Sequence, residues 1–216
     1  MSWRKFLPYL FVVFILLVVA YAYFAPLLTG KVVEQHDRDQ WRGTAQECLE
    51  YAESHDGEQT LWTSTVFSGM PSVLISLKYP LNVAHWVDDL LLIGERPASY
   101  IFLTMLGFYF LLLVMGVRPL LAIPGAIAYG FSTYFFIIIG AGHNAKSHAI
   151  AYIAPLVAAA LLTYKGKYAL GGELFALVLA LSLVAGHPQI TYYSAFIVAA
   201  VAISSLVNAV KARALR

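Results

Sequence analysis

The run EQHDRDQ at 34–40 sets Glu34, Asp37 and Asp39 beside His36 and Arg38. A carboxylate in that setting can take the proton of a hydroxyl as a general base, or hold a metal that binds a phosphate. It can equally be solvated, pair with Arg38 or Arg42, or cap a helix through Asp39. GAGHNAKSH occupies 140–148. Successive backbone N–H groups around its glycines can form an anion-binding nest, with Lys146 supplying charge. GHPQ at 186–189 adds His187 and Gln189. Interfacial hydrogen bonding is the plainer role for His143 and His187, and snorkelling toward headgroups for Lys146. In LWTSTVFSGMP at 61–71, Gly69 and Pro71 break regular structure, and Trp62 and Phe67 are suited to pack on a ligand or on lipid headgroups.

Other chemistries find no support. There is no Walker A sequence, no dinucleotide fingerprint and no HExxH. The single cysteine, Cys48, excludes an intramolecular disulfide and a Cys-based metal site. No cofactor is evident, a divalent metal is left open, and no nucleic-acid partner is expected.

The elements that must position these groups are apolar. Of 216 residues, 60% are hydrophobic and 12% charged, against about 25% charged in a soluble domain. The apolar residues come in long blocks, which predicts bilayer-spanning helices rather than the alternating segments of a barrel. Blocks lie at 6–28, 100–117, 120–139, 148–164, 170–185 and 190–210. The fold expected is all-α, a polytopic transmembrane bundle of about six spans. As a single membrane domain it divides into a first span (1–29), an extracytoplasmic loop (30–97), five further spans (98–210) and a cytoplasmic tail (211–216).

Charge sets the orientation. Arg4, Lys5, Arg118, Lys165, Lys167, Lys211, Arg213 and Arg216 fall on the N-terminal side, with Glu173 the sole acid there. Lys/Arg excess in short loops marks the cytoplasm, so both termini are expected inside and the long loop outside a bacterial plasma membrane. A competing expectation for the first block is a cleaved signal peptide, with Ala20, Tyr21 and Ala22 as the small-x-small site. The apolar run continuing through Leu28 argues against it. The basic end, KARALR, directly follows a span, which fits a natural end or the edge of a fragment.

Two amphipathic surface helices are expected in the outer loop. One runs from Trp41 with Ala45, Cys48, Leu49 and Ala52 on one face; the other covers 82–93, with Val83, Trp86, Val87, Leu90 and Leu91 opposite Asp88 and Asp89. Tyr100, Trp86, Tyr192 and Tyr193 fit an interfacial aromatic belt. This topology puts His36, Asp37 and Asp39, then His143 and Lys146, then His187 and Gln189, on one face of the bundle. Together they suggest an outward polar site for an anionic headgroup such as a lipid phosphate.

In their order, EQHDRDQ, LWTSTVFSGMP, GAGHNAK and GHPQITYY resemble the YfhO-like family of bacterial membrane proteins over essentially the whole chain. Members are longer, with further spans. The resemblance implies a GT-C-like fold and a glycosyltransferase that takes sugar from a polyprenyl-phosphate donor on the extracytoplasmic face, for a cell-envelope polymer, lipid or protein. It makes Asp37 the first candidate base and Asp39 the second. Glu34, His36, Trp62, His143, Lys146, His187 and Gln189 become candidates for substrate binding. A transporter or flippase of a lipid-linked or polar solute is the alternative, as is a scaffold subunit without chemistry. Transport predicts ionisable residues buried within spans, where the sequence offers only Glu173.

Overall fold

The computed structural model describes residues 7–75, 77–79 and 82–214; the basic residues Arg4, Lys5 and Arg216 lie outside them. Helix makes up 76% of the described residues, so the fold is all-α. In chain order the helices are α1 (Leu7–Tyr23), α2 (His36–Ser54), α3 (Val83–Leu91), α4 (Ala98–Val114), α5 (Pro119–Gly130), α6 (Thr133–Ala141), α7 (Asn144–Ala151), α8 (Ile153–Tyr164), α9 (Tyr168–Val184) and α10 (Pro188–Ala214). A short antiparallel ladder pairs β1 (Trp62–Thr63) with β2 (Met70–Pro71).

The core is built around α4, which packs on α1, α5, α7 and α8 and is buried without a break from Ala98 to Met105. Its Gly107 lets α8 approach closely. A Cβ there would lie 2.8 Å from Pro155 Cδ and 3.0 Å from the Ala151 carbonyl, so a larger residue would push the helices apart. The outer helices are built the other way. In α1 only Val12, Leu16 and Ala20 are buried, while Leu7, Leu10, Phe11 and Phe14 face outward. On α10, Phe196, Ile197, Ile203, Leu206 and Val210 are exposed. Such faces are costly in water and stable against hydrocarbon.

Among the described residues, two helices are long and apolar enough to cross a membrane, Asn144–Tyr164 and Pro188–Ala212. A third span arises if the pair Pro119–Gly130 and Thr133–Ala141, bent by 41°, crosses as one. Helices α1, α4 and α9 have 17 residues each, the lower edge of the roughly 17–25 needed to cross. Prolines explain where blocks are shorter or broken. Pro26 cannot donate a helical hydrogen bond, and α1 gives way to a 3-10 turn over Ala25–Thr29. Pro155 cannot donate to the Ala151 carbonyl, and the helix is interrupted at Tyr152, between α7 and α8.

The 30–97 stretch carries both expected helices, with differences. Helix α2 begins at His36 instead of Trp41, and Ala45, Cys48 and Ala52 are its buried positions. Free Cys48 packs with Ala45, Ile75 and Leu77. Asp39 is not the helix cap: Gln35 holds that position, and Asp37 and Asp39 sit in the first turn, where the helix dipole favours negative charge. The β1–β2 turn hangs on Glu47, whose Oε2 accepts from Thr63 Oγ1 at 2.7 Å, Ser64 N at 2.8 Å and Thr65 N at 3.2 Å. These bonds, led by that from Thr63, hold the Glu47 carboxyl below its usual range. Helix α3 turns Val83, Trp86 and Leu90 outward, and its buried residue is Asp88.

Candidate functional site

Three loops and the surface helices close around a cavity of about 700 Å³, within the size range of small-molecule sites. Helix α2 reaches it through Asp37, Arg38 and Trp41, and α3 through His85 and Asp88. The turn before α4 adds Glu95 and Arg96; α7 and its approach add His143, Lys146 and His148; the α9–α10 turn adds His187. Four cationic side chains therefore share one cavity with four imidazoles and three carboxylates.

The wall from α2 is locked to α7. Gln35 and Asn144 exchange amide hydrogen bonds: Gln35 Nε2 donates to Asn144 Oδ1 at 3.1 Å, and Asn144 Nδ2 to Gln35 Oε1 at 2.9 Å. Gln35 Nε2 also donates to the Ile139 carbonyl at 2.6 Å. Gly142 makes the approach possible. At φ +101° a Cβ would meet Asp37 Cβ at 3.0 Å and Gln35 Cβ at 3.2 Å, so both the conformation and the space call for glycine. Asp37 Oδ2 then lies 2.9 Å from His143 Nδ1. The opposite wall is tied to α1, where the Tyr21 hydroxyl accepts from Glu95 N at 2.5 Å and donates to the Ile93 carbonyl at 3.3 Å.

The glycine loop does not form the expected anion nest. Gly142 N donates to the Ile139 carbonyl, His143 N to Ile138 and Asn144 N to Gly142. These N–H groups close the C-terminus of α6 in a Schellman arrangement and are unavailable to a ligand. Helix α7 also starts at Asn144, which makes Lys146 and His148 helical. Positive charge comes from side chains instead. Lys78 contacts Asp89 at 2.5 Å, with Arg96 at 3.9 Å from the same oxygen. Lys146 lies over the Tyr134 ring at 5.4 Å.

At the floor, Asp88 Oδ1 accepts from His148 Nε2 at 2.8 Å and from the Tyr152 hydroxyl at 2.5 Å. Tyr100 stacks on the His148 ring with centroids 5.2 Å apart. Two other imidazoles are held below their usual range. For His85 the cause is burial, which outweighs the nearby Asp88 carboxylate. For His187 it is burial again, opposed by a backbone hydrogen bond of its own residue and reinforced by Lys146 and His143.

Of the residues singled out in the sequence, Asp37, His143, Lys146 and His187 come together in the cavity. Asp39, Glu34 and His36 do not line it. Residues two apart on a helix point about 200° apart, so Asp37 and Asp39 cannot share a wall. His36 bonds Gln40 on the exposed side of α2, and Gln189 bonds Tyr193. Trp62 packs on Gly69 in the hairpin, away from the cavity. The tryptophan that lines it is Trp41, one turn beyond Asp37, its indole fixed by donation to the Ile75 carbonyl at 2.6 Å. Asp88, His148 and Tyr152 went unnoticed in the sequence. The available signal was spacing: His85 and Asp88 are three apart, His148 and Tyr152 four apart, each pair on one helix face.

Among the described residues, no three His, Cys, Asp or Glu are arranged to hold a metal ion. Comparison of the chain with protein families, curated proteins and solved structures finds no match. The function therefore has to be argued from the cavity itself.

Proposed function

We propose that this chain is a GT-C-like membrane glycosyltransferase of the YfhO-like kind, transferring sugar from a polyprenyl-phosphate donor to an envelope acceptor on the outer face. The observation that carries this reading is the cavity, where Asp37, paired to His143, shares its walls with Arg38, Lys78, Arg96 and Lys146. A base and a set of cations in one cavity are what transfer from a phosphate-linked donor requires. Asp37 takes the proton of the acceptor hydroxyl, and the cations stabilise the charge that develops on the leaving phosphate. Trp41, rigid and beside Asp37, offers a flat face for a sugar ring. The same reading takes the six apolar segments as six spans, with both termini cytoplasmic and α2, α3 and the hairpin outside. The Lys/Arg distribution and the four motifs in order support it.

The test is sugar transfer by the full-length protein in membranes. Asp37→Asn lowers transfer by about 100-fold or more, the usual range for losing a general base, while Asp39→Asn stays near wild type. Full activity in the Asp37 variant overturns the assignment. One observation favours transport as a second reading: Asp88 and His148 form a buried ionisable pair beside the cavity, and such groups commonly mark a pathway. Flux of a lipid-linked solute without transfer, measured in vesicles, would select it.

A further inference from the structure

Asp88, His148 and Tyr152 form a polar assembly that the base chemistry of Asp37 leaves unused. Its members come from α3, α7 and the α7–α8 junction, and all three are buried. Asp88 Oδ1 binds His148 through Nε2 and Tyr152 through its hydroxyl. Tyr100, stacked on the ring, fixes its plane. His148 Nδ1 has no hydrogen bond among the described residues, and the ring lines the cavity that also holds Lys78 and Arg96. An imidazole held at one nitrogen by an oriented carboxylate, with the other nitrogen free, presents a transferable proton at a fixed point.

We propose that His148 is the general acid of this site, with Asp88 and Tyr152 as its positioning residues. This rests on the phosphate-linked donor of the proposed function. Doubly protonated, His148 donates Nε2–H to Asp88 and delivers its Nδ1 proton to the phosphate oxygen that leaves the sugar. The acceptor oxygen bonds the anomeric carbon as the carbon–oxygen bond to phosphate breaks, and that bond's electron pair stays on the phosphate oxygen. The acceptor's own proton goes to Asp37. Water in the open cavity returns one proton to His148 and removes one from Asp37, so the cycle closes. Imidazole suits this task, because its ring can give a proton to a phosphate oxygen and take another from water. His85, Lys78 and Asp89 share the electrostatic field of the pair, and Arg96 faces it over Tyr100. His143, Lys146 and His187 are ionisable groups lining the cavity from α7, its approach and the α9–α10 turn.

The experiment compares wild type with His148→Gln, Asp88→Asn and Tyr152→Phe, full-length in nanodiscs, using prenyl-phosphate and prenyl-diphosphate sugars as donors across pH. Glutamine keeps an N–H for Asp88, so the variant is expected to fold. With the monophosphate donor, His148→Gln lowers kcat by about 100-fold or more, leaves KM within about threefold, and removes the alkaline limb of the pH profile. With the diphosphate, a better leaving group, the loss is under about tenfold. Asp88→Asn and Tyr152→Phe displace the alkaline limb without removing it. Equal loss with both donors, or an alkaline limb kept in His148→Gln, overturns the proposal. A wild type that transfers from neither donor sinks the proposed function instead. Binding of a short-chain prenyl phosphate then decides for His148: affinity that falls with rising pH more steeply in wild type than in the variant supports it, and identical curves overturn it.

Discussion

The cavity holds two Asp–His pairs of nearly equal length in opposite surroundings. At the mouth, Asp37 and His143 are 2.9 Å apart with side chains 33% and 51% exposed. At the floor, Asp88 and His148 are 2.8 Å apart and only 4% and 7% exposed. Water screens the first pair, so breaking it costs little, and Asp37 is free to exchange His143 for another partner. The second is desolvated and further tied by Tyr152, so neither member can leave without stranding the other. Distance alone would rank the pairs as equals. Burial separates a pair that can exchange partners from one whose geometry is held.

Removing the carboxylates should expose that difference most strongly. Asp88→Ala strands His148 Nε2 and the Tyr152 hydroxyl in a buried site and is expected to lower stability by about 3 kcal/mol or more. Asp37→Ala should cost less than about 1 kcal/mol. Thermal or denaturant unfolding in nanodiscs measures both, and equal losses would mean that the floor pair is solvated. Tyr152→Phe is the finer cut. It removes one of two donors to Asp88 while leaving His148 in place, and should cost about 1.5 kcal/mol. No loss at all would show that His148 alone orients the carboxylate.

The same contrast explains what could be read in the sequence. Long apolar blocks announced the all-α fold because runs of that length suit helices and not the short alternating segments of a barrel. Asp37, His143, Lys146 and His187 were legible because they stand in short polar clusters at the ends of those blocks. Asp88 was not, because α3 looks conventional from its sequence, with a wide apolar face and acids opposite. The structure turns Val83, Trp86 and Leu90 outward and buries Asp88. Only partners on α7, about sixty residues further on, make that orientation favourable. Trp41 was read as a helix-face residue and Trp62 as the ligand contact, and the cavity takes the reverse. A local pattern cannot report which of two tryptophans the long-range fold turns toward a site.

Proton uptake offers a third comparison between the two ends of the cavity, with the smallest expected effect. His187 stands near the mouth with Lys146 and His143, and His85 near the floor with Asp88 and Lys78. Burial is the leading cause of a lowered imidazole range at both. Each ring then binds its proton less readily in the folded chain than in the unfolded one, so the unfolded state takes up more protons as the pH falls. Their contribution to stability is complete above about 6.5, the ordinary imidazole value. It declines as the pH drops toward the lowered folded values. His85→Gln and His187→Gln should each flatten part of the decline in melting temperature between pH 7 and pH 5. At each ring the second cause opposes burial, Asp88 at His85 and a backbone hydrogen bond at His187, so the two variants should flatten the curve to similar extents. A slope unchanged in the double variant would put both rings in water, and the contrast between mouth and floor would then rest on the carboxylates alone.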